Sequence, residues 1–235
     1  MFLIRKTRWA VLACAGLICL AGCSSERSDM SLLYGAAEGL VTGTDTASVT
    51  QGEVDATPAP SLGVRLGDGP ERLAVLVSDA PHLRLWAAGK AFALQTDGGR
   101  ILRSSGFSAN LSGVSGENGA AASLRDERAN AAQTKAARQR TLFYDFADLD
   151  AYSVRTVCAL SEDGRQTIHI LGKPITTRHI TERCRADLLG WSFTNSYWVG
   201  ETGFVWKSVQ NIHPRLAPLT LEVLRPPTTN PPVMK

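Results

Sequence analysis

The chain has 235 residues, a formal net charge of +3 and four histidines. The whole positive balance comes from Arg5, Lys6 and Arg8, because the rest of the chain has equal numbers of basic and acidic residues. This balance gives no electrostatic case for nucleic-acid binding, which needs a basic face, and the length suffices for one sizeable β domain or two small ones.

Residues 1–22 have the form of a bacterial secretory signal peptide. Their apolar run, Trp9 to Leu20, is too short for a permanent membrane-spanning helix, which takes about twenty apolar residues. The Leu-Ala-Gly-Cys sequence that ends at Cys23 resembles the lipobox of lipoprotein signal peptidase, and it predicts a mature chain that begins with acylated Cys23. Ser24 follows, which under the bacterial sorting rule predicts the periplasmic face of the outer membrane. The alternative is an ordinary signal peptide with an incidental cysteine.

The remaining cysteines predict one disulfide. Cys14 and Cys19 lie within the signal segment, so Cys158 and Cys184 are left as a pair in an oxidising periplasm. Closing that loop of about 26 residues would stabilise the fold by roughly 3 kcal/mol. The alternative is two buried free thiols.

The mature chain begins with a segment, residues 23–61, that is rich in Ser, Thr, Gly and Ala and is interpreted as a tether with at most a brief helix around Leu32–Val41. A single β-rich domain then covers 62–226. Its first half contains three β-branched or apolar runs and a hairpin at Asp97-Gly98-Gly99. The predicted strands are Leu73–Val77, Leu83–Trp86, Ala91–Gln95 and Arg100–Arg103.

Residues 113–140 are predicted to form a charged, alanine-rich insert. The segment from Ala120 to Arg140 contains only Leu124 as a large apolar residue, so we expect an exposed helix or a mobile connection. Its basic residues could contact an anionic glycan or lipid headgroups. A solvated face is favoured, because Asp126 and Glu127 interrupt the basic run.

The second half returns to strands separated by turn residues. Glu162-Asp163-Gly164 and Gly172-Lys173-Pro174 are interpreted as turns, and a Cys158–Cys184 bridge would then tie the first strand of a meander to the third. A second aromatic hairpin turns at Gly200-Glu201-Thr202-Gly203. The chain ends in a Pro-rich tail, 227–235. The predicted strands are Leu142–Phe146, Ser153–Leu160, Gln166–Leu171, Thr176–Cys184, and those around Phe193–Val199, Phe204–Gln210 and Leu219–Val223.

Motifs for nucleotide binding, zinc proteases and serine hydrolases do not occur in the sequence, which predicts neither an enzyme nor a cofactor. His179 and Glu182 are a close His/carboxylate pair, but a strand would place them on opposite faces, so no metal site is predicted. Glu182 and Glu222 lie within predicted strands and are the carboxylates to examine for acid/base chemistry.

Aromatic and amide side chains near the end of the domain offer the groups that hold pyranose rings. We weigh this against packing in the interior, which is favoured because alternating aromatics on a central hairpin mostly face the core. Trp198 lies on the opposite face from Phe193 and Tyr197 and is the ring most expected outside the core. The residues concerned are Trp191, Asn195, Tyr197, Trp198, Trp206 and Gln210.

Two blocks of sequence resemble the YjbF/GfcB family of lipoproteins, which is associated with group 4 capsule and exopolysaccharide production. One block, from Leu62 to Leu111, contains GVRLGDGPERLAVLV and LRLWAAGKAFALQTDGGRILRSSGFSANL. The other, from Tyr152 to Arg225, contains TVCALSEDGRQTIHILG, NSYWVGETGFVWKSVQ and LTLEVLRP. Ser104, Phe107 and Gly200 depart from the pattern.

The resemblance implies a mainly β fold, an antiparallel barrel-like or strongly bent sheet with few helices. It also implies a non-enzymatic accessory lipoprotein that acts with other products of an exopolysaccharide operon. The matching motif positions are interpreted as structural or partner-facing and not as catalytic. The candidate glycan or partner contacts among them are Arg100, Asn110, Asn195, Trp198, Trp206 and Gln210, with Gly106 and Gly203 also matching. The alternatives are a glycan-modifying hydrolase, which needs two converging carboxylates, and a lipid-handling protein with an apolar cavity.

Overall fold

A computed structural model describes residues 48–80, 83–116 and 138–227. These residues contain one α-helix, α1 (Gln51–Ala56), and twelve strands. The strands are β1 (Ser61–Leu66), β2 (Glu71–Ala80), β3 (Leu83–Ala88), β4 (Phe92–Asp97), β5 (Arg100–Ser105), β6 (Gly113–Gly116), β7 (Arg138–Phe146), β8 (Ala151–Ile170), β9 (Lys173–Ala186), β10 (Trp191–Val199), β11 (Val205–Gln210) and β12 (Leu219–Arg225). No helix in the described ranges is long and apolar enough to cross a membrane.

All twelve strands form one antiparallel sheet in the order β5-β4-β3-β2-β1-β12-β11-β10-β9-β8-β7-β6. The sheet curls until its edges β5 and β6 approach each other, and there the Ser104 N–H donates to the carbonyl of Leu111 at 2.9 Å. The fold is an up-and-down meander nearly closed into a barrel, with its open seam in mid-chain. The expected antiparallel, barrel-like β fold is confirmed.

Strict alternation of strand direction gives the barrel two ends. We call one the base end, where the connections 67–70, 147–150 and 187–190 lie. The mouth end carries the connections 98–99, 171–172 and 200–204. The β8–β9 hairpin is the longest, and beyond the Arg178–Val199 pair it extends past the end of β10 toward its turn at 171–172. We call this extension, residues 165–177, the arm.

The core fills the barrel with the inward-facing residues of both halves. Leu62, Leu94 and Leu221 come from the β1–β5 side and from β12, and Tyr144 and Phe146 come from β7. At the base end, the Trp191 and Phe193 rings stack with centroids 3.9 Å apart, and Tyr144 meets both rings edge-on. Aromatic pairs of this kind add about 0.5–1.5 kcal/mol each beyond the area they bury.

Folded structure begins before β1, inside the segment interpreted as a tether (23–61). Thr50 and Glu53 form a capping box at the start of α1, with the Thr50 N–H donating to Glu53 Oε2 at 2.7 Å. The Val49 N–H donates to Glu71 Oε2 at 2.8 Å near the base end, and the Val54 carbonyl accepts from Arg225 at the mouth end. The helix therefore runs along the outside of β1 and β12, within the segment interpreted from the sequence as a tether.

The predicted turn at Glu162-Asp163-Gly164 is wrong. Glu162 pairs with Ile180 and Arg165 pairs with Arg178, so two residues oppose His179 and form a bulge inside the continuous strand β8. A bulge accepts the same turn-forming residues, including a glycine at positive φ, and Gly164 has φ +99°.

Cys158 and Cys184 form a disulfide, and its predicted place in the fold is corrected. They are directly opposite residues of the neighbouring strands β8 and β9, with Cα atoms 4.1 Å apart, rather than members of a first and a third strand. The bridge therefore lies within the long hairpin that ends in the arm.

Other expectations fall partly outside the described residues. The ends of the expected insert, 113–140, belong to β6 and β7, while 117–137 lie outside. The signal segment, Cys23, the brief helix near Leu32–Val41 and residues 228–235 of the Pro-rich tail also lie outside.

Removing the disulfide in the double variant Cys158→Ser/Cys184→Ser should lower the free energy of unfolding by roughly 3 kcal/mol, because the unfolded chain regains the freedom of the loop between the cysteines. Urea denaturation of both proteins measures this difference. With reductant present, the wild-type curve should move onto that of the variant. An unchanged wild-type curve after complete reduction would contradict the prediction.

Glu71 and Glu53 should give pH dependences of opposite sign. Burial raises the pKa of Glu71 above 4.5, so the folded protein holds this proton more tightly than the unfolded chain does. Wild type should therefore lose stability relative to Glu71→Gln as the pH rises above that value. The backbone N–H of Thr50 lowers the pKa of Glu53, so wild type instead gains stability relative to Glu53→Gln as the pH rises toward neutrality. Urea denaturation between about pH 4 and 7 measures the stability of wild type relative to each variant. If both stability differences change with pH in the same direction, the assignment is contradicted.

Candidate functional site: a buried ionic cluster and the barrel mouth

A carboxylate with no solvent exposure, Glu182 on β9, lies at the centre of the barrel's polar interior. Its Oε1 accepts from Arg100 Nη2 at 2.6 Å and from Arg140 Nη2 at 2.5 Å. Its Oε2 accepts from Asn195 Nδ2 at 3.0 Å and from the Tyr197 hydroxyl at 3.2 Å. We call these five residues the ionic cluster. Every member except Arg140 is almost fully buried.

The cluster holds two cations around one anion. Burial by itself lowers the pKa of Arg100, but the Glu182 carboxylate outweighs it, so the pKa is raised overall and the guanidinium stays charged. Burial raises the pKa of Tyr197 and of the neighbouring Tyr144, which therefore stay neutral. The Arg100 guanidinium also lies over the Tyr197 ring, 5.6 Å from its centroid. These contacts hold the Arg100 guanidinium in place beside the Glu182 carboxylate.

A second group of hydrogen bonds continues from the cluster to β11. Gln210 accepts from the Ile101 N–H through Oε1 at 2.9 Å and donates from Nε2 to the Gly99 carbonyl at 2.8 Å. Asn195 Oδ1 accepts from the Asn211 N–H at 2.8 Å. The start of β5 is therefore bound across the barrel interior to β9, β10 and β11.

The disulfide lies beside this cluster. The two sulfur atoms and a Glu182 oxygen lie within 4.8 Å of one another, a grouping that has the composition of a metal site. Both sulfurs are bonded in the disulfide, so they supply no thiolate ligand. Among the described residues this grouping therefore offers one carboxylate, and that carboxylate is already bound by two arginines.

Trp206 lines a small hollow inside the mouth end. The hollow has a volume of about 50 Å³, and its walls include Trp86, Phe204 and Leu221, with Arg84 at its rim. Trp206 is 5% exposed. Ligand sites usually have volumes of roughly 300–1,000 Å³, so the hollow is too small for a lipid chain or a sugar ring.

Trp198 lies on the outer face, as the strand alternation predicts, and side chains of the neighbouring strands contact its ring. The His179 ring stacks on it at 4.8 Å, Lys207 Nζ lies 5.5 Å from its centroid, and its Nε1 donates to Gln166 Oε1 at 2.8 Å. Lys207 is also paired with Glu222 at 2.7 Å. Trp198 therefore covers the β9–β11 surface, and its ring is not an open platform for a sugar.

Asn110 holds the base-end loop between β5 and β6. Its Oδ1 accepts from the Phe107 N–H at 3.1 Å, and its Nδ2 donates to the Phe107 carbonyl at 2.9 Å. Gly106 has φ +89°, and a Cβ there would lie 2.2 Å from the Ala91 carbonyl oxygen. These two motif positions are accounted for by the geometry of the loop.

A second concavity opens beneath the arm, with a volume of about 250 Å³. We call it the mouth concavity, and its lining is polar except for one valine: Arg165, Thr176, Thr177, Arg178, Val199 and Glu201. Directly opposite residues share a face of the sheet, so Arg165 and Arg178 point to the same side as the buried Val199. Arg165 and Glu201 are exposed, which makes the concavity accessible from solvent.

The structure brings together some of the residues predicted from sequence and separates others. Arg100, Asn195 and Gln210 meet in the interior, while Trp198, Trp206 and Asn110 lie in three other places. Burial of the first three, and of Trp206, favours the structural role that their motif positions also allowed. Sequence reasoning missed Arg140, which lay in the presumed insert, and the mouth concavity, whose arginines face one another only because of the bulge.

Glu182→Gln should lower the free energy of unfolding by about 3–5 kcal/mol, because it leaves two arginine side chains without their anion, one of them fully buried. Glu222→Gln is the matched control: it lies in a strand and breaks a partly exposed pair with Lys207, which contributes below about 1 kcal/mol. Urea denaturation of both variants tests the difference. Equal losses would contradict the central role of the cluster.

Comparison with solved structures gives a similar fold in a hypothetical lipoprotein, YmcC, from Escherichia coli K12. The two chains are 23% identical with a TM-score of 0.59, over 72% of this chain and 88% of that one. No curated protein matches the chain. The family model described as "Group 4 capsule polysaccharide lipoprotein gfcB, YjbF" matches residues 34–224. The chain therefore belongs to the YjbF family of group 4 capsule polysaccharide lipoproteins.

Proposed function

We propose that this protein is an outer-membrane lipoprotein, anchored through acylated Cys23 on the periplasmic face, that assists secretion or assembly of an exopolysaccharide. It acts by binding, either to a segment of the glycan or to a component of the export machinery. Membership of the capsule lipoprotein family is the observation that carries this proposal. The tether keeps the domain at the membrane, where a high local concentration makes a weak contact sufficient.

The shape of the domain supports this arrangement. Ser48 lies near the base end, where Arg65 Nη2 is 3.4 Å from Ser48 Oγ. Tyr152 and Leu188, 58% and 75% exposed, project from the same end. The base end thus suits the lipid side, and the mouth concavity would face the periplasm.

The rival functions find less support in the geometry. A glycan hydrolase needs two carboxylates that converge on an open cleft, whereas Glu182 is buried between arginines and Glu222 is paired with Lys207. A lipid-handling protein needs a large apolar hollow, and the one around Trp206 is about 50 Å³.

The proposal is tested in a deletion strain complemented with the wild-type gene or with Cys23→Ala. We expect secreted polysaccharide to fall in the deletion and to return only with wild type, because the unacylated chain is no longer held at the membrane. Cys23→Ala protein must be detected at wild-type abundance, and fractionation must place it away from the membrane. Unchanged polysaccharide in the deletion strain would refute the proposed function, and full rescue by Cys23→Ala would refute the need for the anchor.

A further inference from the structure

The β8 bulge places two positive charges opposite each other. Side chains alternate along a strand, so without the extra residue Arg165 would face away from Arg178. The bulge at 163–164 shifts the register by one, and Arg165 then pairs directly with Arg178. Like charges at directly opposite positions destabilise a sheet unless an anion lies beside them.

The two arginines differ in their existing partners. Arg178 Nη1 donates to Glu162 Oε2 at 2.6 Å, and Glu162 lies in β8 just before the bulge. Arg165 is exposed, and no side-chain ion pair or hydrogen bond joins it to any residue in the described ranges. A free guanidinium beside a second one is arranged to bind a planar anion through two hydrogen bonds.

The rest of the lining favours an anion that also carries hydroxyl groups. Thr176 presents an exposed hydroxyl, and the Glu201 carboxylate stands at the rim. Glu201 would repel a bare phosphate ion, but it can accept hydrogen bonds from sugar hydroxyls. The Thr177 hydroxyl is already used, since it donates to the Gln166 carbonyl at 2.9 Å.

We propose that the mouth concavity binds an acidic sugar residue of a polysaccharide, with its carboxylate on Arg165 and Arg178 and its hydroxyls on Glu201 and Thr176. This inference rests on the proposed function and specifies its ligand class. It makes the bulge and the arm the binding elements and leaves the ionic cluster as their support.

The binding test uses the full chain purified from membranes in detergent, with calorimetry as the readout. The probes are an oligogalacturonate, a neutral malto-oligosaccharide of equal length and inorganic phosphate. We expect binding of the acidic oligosaccharide only, weakened when salt is raised to about 1 M, where the Debye length is about 3 Å. Equal binding of the neutral sugar would overturn the role of the arginines, and phosphate competing as strongly as the oligosaccharide would overturn the sugar assignment.

Arg165→Gln should weaken binding about tenfold, as expected for loss of one charge-assisted hydrogen bond. Arg183→Gln is the matched control, because Arg183 is an exposed arginine on the neighbouring strand β9, outside the concavity. The melting temperature of Arg165→Gln should equal or exceed that of wild type, since a like-charge pair is removed. Wild-type affinity in Arg165→Gln would overturn the site.

The same variants separate this inference from the proposed function. In the deletion strain, Arg183→Gln should restore polysaccharide and Arg165→Gln should restore less. If the deletion lowers polysaccharide and Arg165→Gln restores it fully, the site is refuted while the proposed function stands. If the deletion has no effect, the proposed function is refuted, and calorimetry alone decides whether the concavity binds acidic sugars.

Discussion

One buried carboxylate constrains how the two halves of this barrel meet. Glu182 has no exposure to solvent, and a charge in that position is tolerated only when opposite charges and hydrogen bonds surround it. Arg100 comes from β5 and Arg140 from β7, the strands on either side of β6 at the seam. Their shared anion therefore supplies a link across the region where the sheet itself is not continuous.

The strand pattern of this fold was accessible from sequence to a large extent. Period-two alternation identified the inward face of β10, and Asp97-Gly98-Gly99 identified the β4–β5 hairpin, because both signals are local. Glu162-Asp163-Gly164 was wrongly predicted to be a hairpin turn, because a bulge and a hairpin turn use the same residue types. The sequence alone cannot tell whether the chain reverses after such a triplet or continues.

The candidate site was less accessible, since its residues meet through long-range register. Arg100 and Glu182 are 82 residues apart, and only the closed sheet reveals that they touch. Arg140 looked like part of a solvated, alanine-rich run. In the structure it belongs to β7, pairs with Cys158 and contacts Glu182. The opposition of Arg165 and Arg178 depends on one extra residue in β8, which no count of charges would reveal.

The position of the seam also bears on how the chain folds. Among the twelve strands that the structure describes, every pair in the sheet joins neighbours in sequence except one, the pairing of β1 with β12. Local pairings close short loops and form early, whereas β1 and β12 are separated by nearly the whole domain and need a costly loop closure. During synthesis from the N-terminus, β1 has only β2 to pair with until the last strand emerges. One edge of the growing sheet thus stays open until the end, and truncation before Leu219 would leave it permanently exposed to other chains.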